Sequence, residues 1–416
     1  MKIWTQRLDR PLSILKKRKL LIILTLFFSS IVYIKIYFVF LKNELKDFDF
    51  LEARKCPACY GTSLCGSFQR GELALELFYK FRMLDVVNVK NVFFGRHQEK
   101  PVVFKKLGHT DELNQLDAKI CEQGKDATGC DVSRVIFQSD LIKAMEDGKL
   151  MVDGVKRMSD LVRCPSQRLL DRIWSRYDER SWIGGVKQHQ QLNLVTTLFF
   201  NPEPILLQTF PKKDGWPFPG YEGACGRFIV EENIGPSLRS FYNHPWEDRV
   251  KIAYQLTQLF ERLTNNEDDY VLYLTDVSSD NFAVAPDGSV YIVDAENIIV
   301  VDKQQIRKDK PENWDVPFES DHDDCVGCLS FFADLLCTRL QTDHNYYAMC
   351  HSILGPETQF PIVKGGLLHD IPFTLPEKQQ LLDLIIECQK PKNHLGRFKA
   401  FPALSALLKK LAEQGR

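Results

Sequence analysis

The sequence of 416 residues predicts an α+β chain of two lobes, the first β-rich and the second helical, behind a single N-terminal membrane span. Three observations predict it. The apolar run Leu20 to Leu41 stands alone near the start, Val- and Phe-rich segments crowd the front half, and a long amphipathic helix followed by a short hairpin opens a helical rear half. Hydrophobic residues make up 44% and charged residues 26%, with a formal net charge of -1, which argues against disorder and against nucleic acid as a partner.

The run "LLIILTLFFSSIVYIKIYFVFL" is long enough to cross a bilayer. Lys35 is its one charge, and its cost of about 3 kcal/mol at most is outweighed by apolar residues contributing roughly -0.3 to -0.6 kcal/mol each; it also lies off centre, where it can snorkel. Lys2, Arg7, Arg10, Lys16, Lys17, Arg18 and Lys19 precede the run against Asp9 alone. The positive-inside rule therefore makes 1–19 a cytosolic tail, 20–41 an uncleaved type II anchor, and the remainder lumenal. No small-x-small site follows the run, which disfavours a cleaved signal peptide. All 12 cysteines lie at or beyond Cys56, so disulfides in an oxidising compartment are expected. Zinc shared between Cys56/Cys59 and Cys325/Cys328 is the alternative use of two C-x-x-C pairs. No N-x-[ST] sequon occurs.

Residues 42–65 read as a charged stem ending in the Cys-, Gly- and Pro-rich "CPACYGTSLCGS". "VVNVKNVFFG" and "KPVVFKKLG" then form two strands around a turn at Arg96 to Lys100, and "HTDELNQLDAKICEQ" an amphipathic helix with Leu113, Leu116 and Ile120 on one face. From 124 to 200 the pattern is mostly helical. "EPILLQTF" and "CGRFIVEEN" read as strands flanking the loop "PKKDGWPFPGYEGA", which closes a first lobe spanning 66–232 with a helical insertion. After a break at Asn233 to Pro236, the second lobe (233–416) opens on a helix from Trp246 to Leu263, and the C-terminal third is helical again.

The chemistry concentrates in "LYLTDVSSDNFAVAPDGSVYIVDAEN", Leu272 to Asn297. A strand leads into Asp276, Asn281 follows five positions later, the turn "APDGS" makes a hairpin, and Asp294 ends its second strand. Phosphoryl transfer needs a carboxylate beside the acceptor hydroxyl, an amide on a metal ion, and a carboxylate bridging metal to phosphates. Asp276, Asn281 and Asp294 supply these in order, which implies ATP with Mg²⁺ or Mn²⁺. The strand end "VVFK" offers Lys105 for the phosphates, and strand alternation sends Lys106 to the opposite face. Glu112, with Asp117 behind it, is the candidate partner of Lys105. Backbone groups near Glu231 to Asn233 would hold the nucleobase. The competing reading is an exposed hairpin whose Asp and Asn residues only make turns.

With "KCPACYGTSLC", "CPSQRLLDR", "NPEPILLQTF", "GWPFPGYEGACGRF", "LYLTDVSSDNFAV", "IVDAENIIVVDK" and "KPENWDV", the sequence resembles the divergent protein kinase domain family, in its deleted-in-autism-like branch. The resemblance implies a protein-kinase-like fold in the Golgi or another secretory compartment, with release from the cell and a signalling role as further expectations. It implies a nucleotide and a lumenal or secreted protein as partners. Leu274-Thr275-Asp276 replaces H-R-D, removing the arginine that meets a phosphorylated activation loop, and Asp294-Ala295-Glu296 replaces D-F-G, making Glu296 a further metal-ligand candidate. "GSFQRG", Gly66 to Gly71, reads as a plain turn and not as a phosphate loop. A pseudokinase acting as a binding module is the second reading. A Golgi glycosyltransferase using "DFD" (Asp47 to Asp49) or "DHD" (Asp321 to Asp323) is the third.

Overall fold

A computed structural model of the chain describes residues 21–34, 43–76, 91–124, 130–146, 148–177, 187–320, 329–355 and 365–414. The front lobe is built on a five-stranded antiparallel sheet. Its strands are β1 (Leu73–Leu75), β2 (Val92–His97), β3 (Lys100–Lys105), β4 (Tyr221–Cys225) and β5 (Phe228–Glu232), in the order β1-β2-β3-β5-β4. A two-residue turn with Gln98 at positive φ joins β2 to β3, in the place the polar turn residues predict. Phe93, Val102, Phe104, Phe228 and Val230 fill one face of the sheet. Leu45 and Leu51, from the predicted stem, are buried in that same apolar cluster.

Helix α1 (Thr110–Gln123) follows β3 with Leu113, Leu116 and Ile120 buried as its periodicity requires. The helical insertion adds α2 (Gln167–Arg176), capped by the Ser166 hydroxyl, and α3 (Lys187–Phe200). "DLIKAMEDG" departs from the helical reading, since only Asp140–Ala144 makes a short 3₁₀ turn before a two-strand hairpin. "EPILLQTF" is not a strand but helix α4 (Glu203–Thr209). Pro204 in its first turn favours helix initiation, and an apolar run this short cannot be assigned from periodicity alone. The strand missed in compensation is β4, inside the Gly/Pro-rich loop, where cross-strand pairing with β5 overrides a weak strand propensity.

The rear lobe packs α5 (Trp246–Thr264) against a pair of two-stranded sheets: β6 (Tyr270–Leu274) with β9 (Ile298–Asp302), and β7 (Phe282–Val284) with β8 (Val290–Ile292). Helices α6 (His344–Met349), α7 (Lys378–Gln389) and α8 (Gly396–Gln414) follow, after the short helices Lys303–Asp309 and Ala333–Thr338. The large apolar cluster that fills this lobe also takes in Leu169, Ile173, Leu206 and Phe210 of the insertion. At its base Arg397 and Asp343, both fully buried, form an ion pair at 2.5 Å.

Disulfides join Cys56–Cys59, Cys65–Cys225, Cys121–Cys130, Cys164–Cys337 and Cys350–Cys388, and no free thiol occurs among the described residues. The Cys56–Cys59 bond overturns the zinc alternative, because both thiolates are consumed; Cys325 and Cys328 lie outside the described residues. Residues 21–34 are helical with exposed apolar side chains, while residue 20 and residues 35–41 of the predicted span lie outside the described residues. Among the described residues no helix is long and apolar enough to cross a membrane.

Candidate active-site cleft

Between the lobes lies a cleft of about 550 Å³. Lys105, Glu203, Glu231, Asn233, Asp294 and Glu296 line it, with Glu112 at its edge. Lys105, the last residue of β3, is 7% exposed; its ammonium donates to Glu203 Oε1 at 2.7 Å and to the Val293 carbonyl, and forms an ion pair with Glu231 Oε1 at 2.9 Å. Burial opposes the Lys105 charge, but the carboxylates of Glu203, Glu231 and Asp294 outweigh it and hold its pKa above the ordinary lysine range.

The glutamate paired with Lys105 is therefore Glu203 and not Glu112. Glu112 Oε2 accepts the His109 backbone N–H at 2.6 Å, which spends its carboxylate on capping its own helix. Asp117 is engaged by Arg227 and Lys55 on another face. Glu203 was missed because its segment reads as a strand; the signal available was the Pro-bracketed acid of "NPEP" beside an apolar run. Lys106 pairs with Glu52, opposite Lys105, as strand alternation requires.

Three contacts fasten the segment Val293 to Glu296 to this pair and to the neighbouring Asn201. The Val293 carbonyl accepts from Lys105, the Ala295 N–H donates to Glu203, and Glu296 Oε2 accepts from Asn201 Nδ2 at 2.6 Å. Asn201 Oδ1 in turn accepts the Glu203 N–H at 3.1 Å, so one buried carboxamide joins the start of α4 to Glu296. Burial, reinforced by Asp294 and Glu203, pushes Glu296 up to about 7. Glu231 is expected from sequence to contribute backbone alone; instead its side chain faces Lys105, and burial pushes it up to about 8 against the pull of that ammonium.

Asp276 and Asn281 sit on the loop after β6. His344 and Asn345 of α6 pin that strand, His344 Nε2 meeting the Leu274 carbonyl at 2.8 Å and Asn345 bonding Leu274 N–H and the Leu272 carbonyl. Asn281 is buried, accepts from Ser278 Oγ at 3.0 Å and donates to the Asp276 carbonyl at 3.3 Å, so the two predicted residues belong to one loop. Asp276 is exposed, and neither lines the cleft in this structure; Asp280, ion-paired to Arg239 at 3.1 Å, does. Gly235 carries the connection from the front lobe past this hairpin, since a Cβ there would meet the Val284 carbonyl at 2.5 Å and φ is +145°.

Acidic side chains outnumber basic ones around the cleft. Among the described residues no group of three or more His, Cys, Asp or Glu is arranged to hold a metal ion. The oxygen donors that line the cleft near Lys105 are the carboxylates of Asp294 and Glu296, hard ligands of the kind Mg²⁺ and Mn²⁺ take together with water and phosphate, while the Asn281 carboxamide stands outside the lining.

A family model described as the protein-kinase domain of FAM69 matches residues 195–391, which hold α4, the hinge and most of the rear lobe. The chain is 46% identical to divergent protein kinase domain 2A of Xenopus tropicalis over 91% of each chain. It is 43% identical to the human protein of that name over 99% of this chain and 98% of the relative. The chain belongs to the divergent protein kinase domain family. Similarity extends to divergent protein kinase domain 2B of Bos taurus, at 33% identity over 62% of each chain. As a family member it carries a kinase-like domain with a β-sheet front region and a helical rear region, as the sequence predicts.

Proposed function

We propose that the cleft binds ATP with Mg²⁺ or Mn²⁺ and that the chain is a phosphotransferase acting on hydroxyl groups of lumenal or secreted proteins. The observation that carries this reading is the buried Lys105–Glu203 pair facing the same cleft as Asp294. Lys105 would meet the phosphates, Asp294 and Glu296 would hold the cation together with Asn281 from the neighbouring loop, and Asp276 on that loop would orient the acceptor hydroxyl. Backbone groups from Glu231 to Asn233 would hold the nucleobase. A bound cation would offset the excess of carboxylates, which otherwise repels a polyphosphate.

The five disulfides among the described residues support a lumenal location, Golgi or another secretory compartment, and the run Leu20 to Leu41 supports a type II anchor there. Transfer of labelled γ-phosphate by the full chain, wild type against Asp294→Ala, tests the reading. Label incorporated by the wild type and lost in the variant supports it; equal incorporation removes it.

One observation favours a second reading, a pseudokinase that serves as a binding or signalling module. The Lys105 ammonium is already enclosed by Glu203, Glu231 and the Val293 carbonyl, and Asp276 stands outside the cleft lining. Nucleotide binding without transfer to any hydroxyl acceptor selects that reading.

A further inference from the structure

The Lys105 ammonium is buried and enclosed by three oxygens, hydrogen-bonded to Glu203 Oε1 and the Val293 carbonyl and ion-paired with Glu231 Oε1, so a phosphate oxygen reaches it by displacing one of them. They are not equally held. Glu203 begins α4 and also receives the Ala295 N–H. The Val293 carbonyl belongs to backbone whose N–H is bonded to the Asn281 carbonyl at 2.8 Å. Glu231 is different: its Oε1 meets Lys105, while its Oε2 is buried without a hydrogen-bond partner among the described residues. The residue is 1% exposed, stands opposite Val103 in the β3–β5 register, and lines the cleft on the same sheet face as Lys105.

We propose that Glu231 is the yielding counter-ion of Lys105: an α- or β-phosphate oxygen of the nucleotide takes its place on the ammonium, and the released carboxylate takes up one proton from solvent. The inference rests on the nucleotide reading of the cleft. A carboxylate freed in this position cannot stay ionised, because it is buried and has lost its cation. The charged groups facing it are Lys105 on β3, Glu203 on α4 and Asp294 after β8, with Glu296 and Glu112 farther along the cleft. Glu203, Asp294 and the arriving phosphates all disfavour a second negative charge. Glu231 is already raised to about 8 before any ligand arrives, so it ionises above that pH in the free protein and is neutral in the complex. Affinity then falls as pH rises through this range, by up to about tenfold per pH unit for one linked proton.

The test is calorimetric titration of the full chain with Mn²⁺-ADP at about pH 8.5 in two buffers of different ionisation enthalpy, for the wild type and Glu231→Gln. The amide keeps the shape and the contact to Lys105 but takes up no proton. The expected result is roughly three-quarters of a proton taken up per nucleotide by the wild type, the share of Glu231 ionised in the free protein at that pH, and none by Glu231→Gln, whose affinity stays flat with pH. Equal proton uptake in both, or binding by the wild type with no uptake, overturns the proposal and leaves the nucleotide reading standing. Failure of the wild type to bind any nucleotide overturns both. If Glu231→Gln does not fold, the wild-type pH slope decides alone, and a flat slope overturns the proposal.

Discussion

Lys105 and Glu203, 98 positions apart in sequence, meet at 2.7 Å in the interior of the molecule. Both are nearly inaccessible to solvent, so neither charge is affordable without the other, and breaking such a buried pair costs about 3–5 kcal/mol. Glu231 softens this by offering Lys105 a second side-chain oxygen at 2.9 Å. Glu203→Ala is therefore expected to lower stability by about 2–4 kcal/mol and to abolish nucleotide-dependent stabilisation, read as thermal unfolding with and without Mn²⁺-ADP. Retention of the nucleotide shift in that variant would show that Lys105 is positioned without Glu203.

Glu112→Ala separates the sequence-predicted partner from the structural one. It removes only a reciprocal helix cap, so a loss of about 1 kcal/mol is expected in denaturant unfolding, with the nucleotide-induced shift unchanged.

The cleft carboxyls give stability a definite pH slope. Glu231 at about 8 and Glu296 at about 7 bind protons in the folded state that the unfolded chain has already released, so their contribution is fully present below about 4.5 and is lost as pH rises to about 8. His344, depressed by burial to about 4, acts oppositely and costs stability as pH falls below about 6.5. Between pH 6.5 and 8 only the carboxyl effect operates among these three. Unfolding free energy should decline across that window, and Glu231→Gln should flatten the decline.

Cys65 and Cys225 lie 160 positions apart, and their bond ties the short helix Cys65–Arg70 to β4 at the edge of the front sheet. Replacing both by serine is expected to cost about 2–5 kcal/mol. Reducing agent should lower the unfolding temperature of the wild type and change that of the double variant less.

The site was only partly legible in the sequence, and the divide follows contact range. Asp276, Asn281 and Asp294 lie on one strand-hairpin unit, so their spacing reports local geometry that a sequence displays directly. Lys105 was legible for the same reason, as the polar end of an apolar strand. Glu203 was not, because its role depends on a helical insertion folding back across the sheet, and its own segment carries no period that separates helix from strand. Sequence places the Glu231 backbone near the nucleobase, but its side-chain role emerges only from the register that sets it opposite Val103, beside Lys105. The same long-range pairing hid β4, whose Tyr-Glu-Gly-Ala-Cys sequence is a strand only because β5 lies alongside.

Lys105, Glu203 and Asp294 line the cleft proposed to bind nucleotide with a cation. The most direct test of that proposal is thermal unfolding of the full chain with ADP in the presence and absence of Mn²⁺, for the wild type and Asp294→Ala. A rise in unfolding temperature that requires both nucleotide and cation, and that vanishes in the variant, is the predicted result. Wild-type curves that coincide with and without Mn²⁺-ADP at saturating concentration would contradict it.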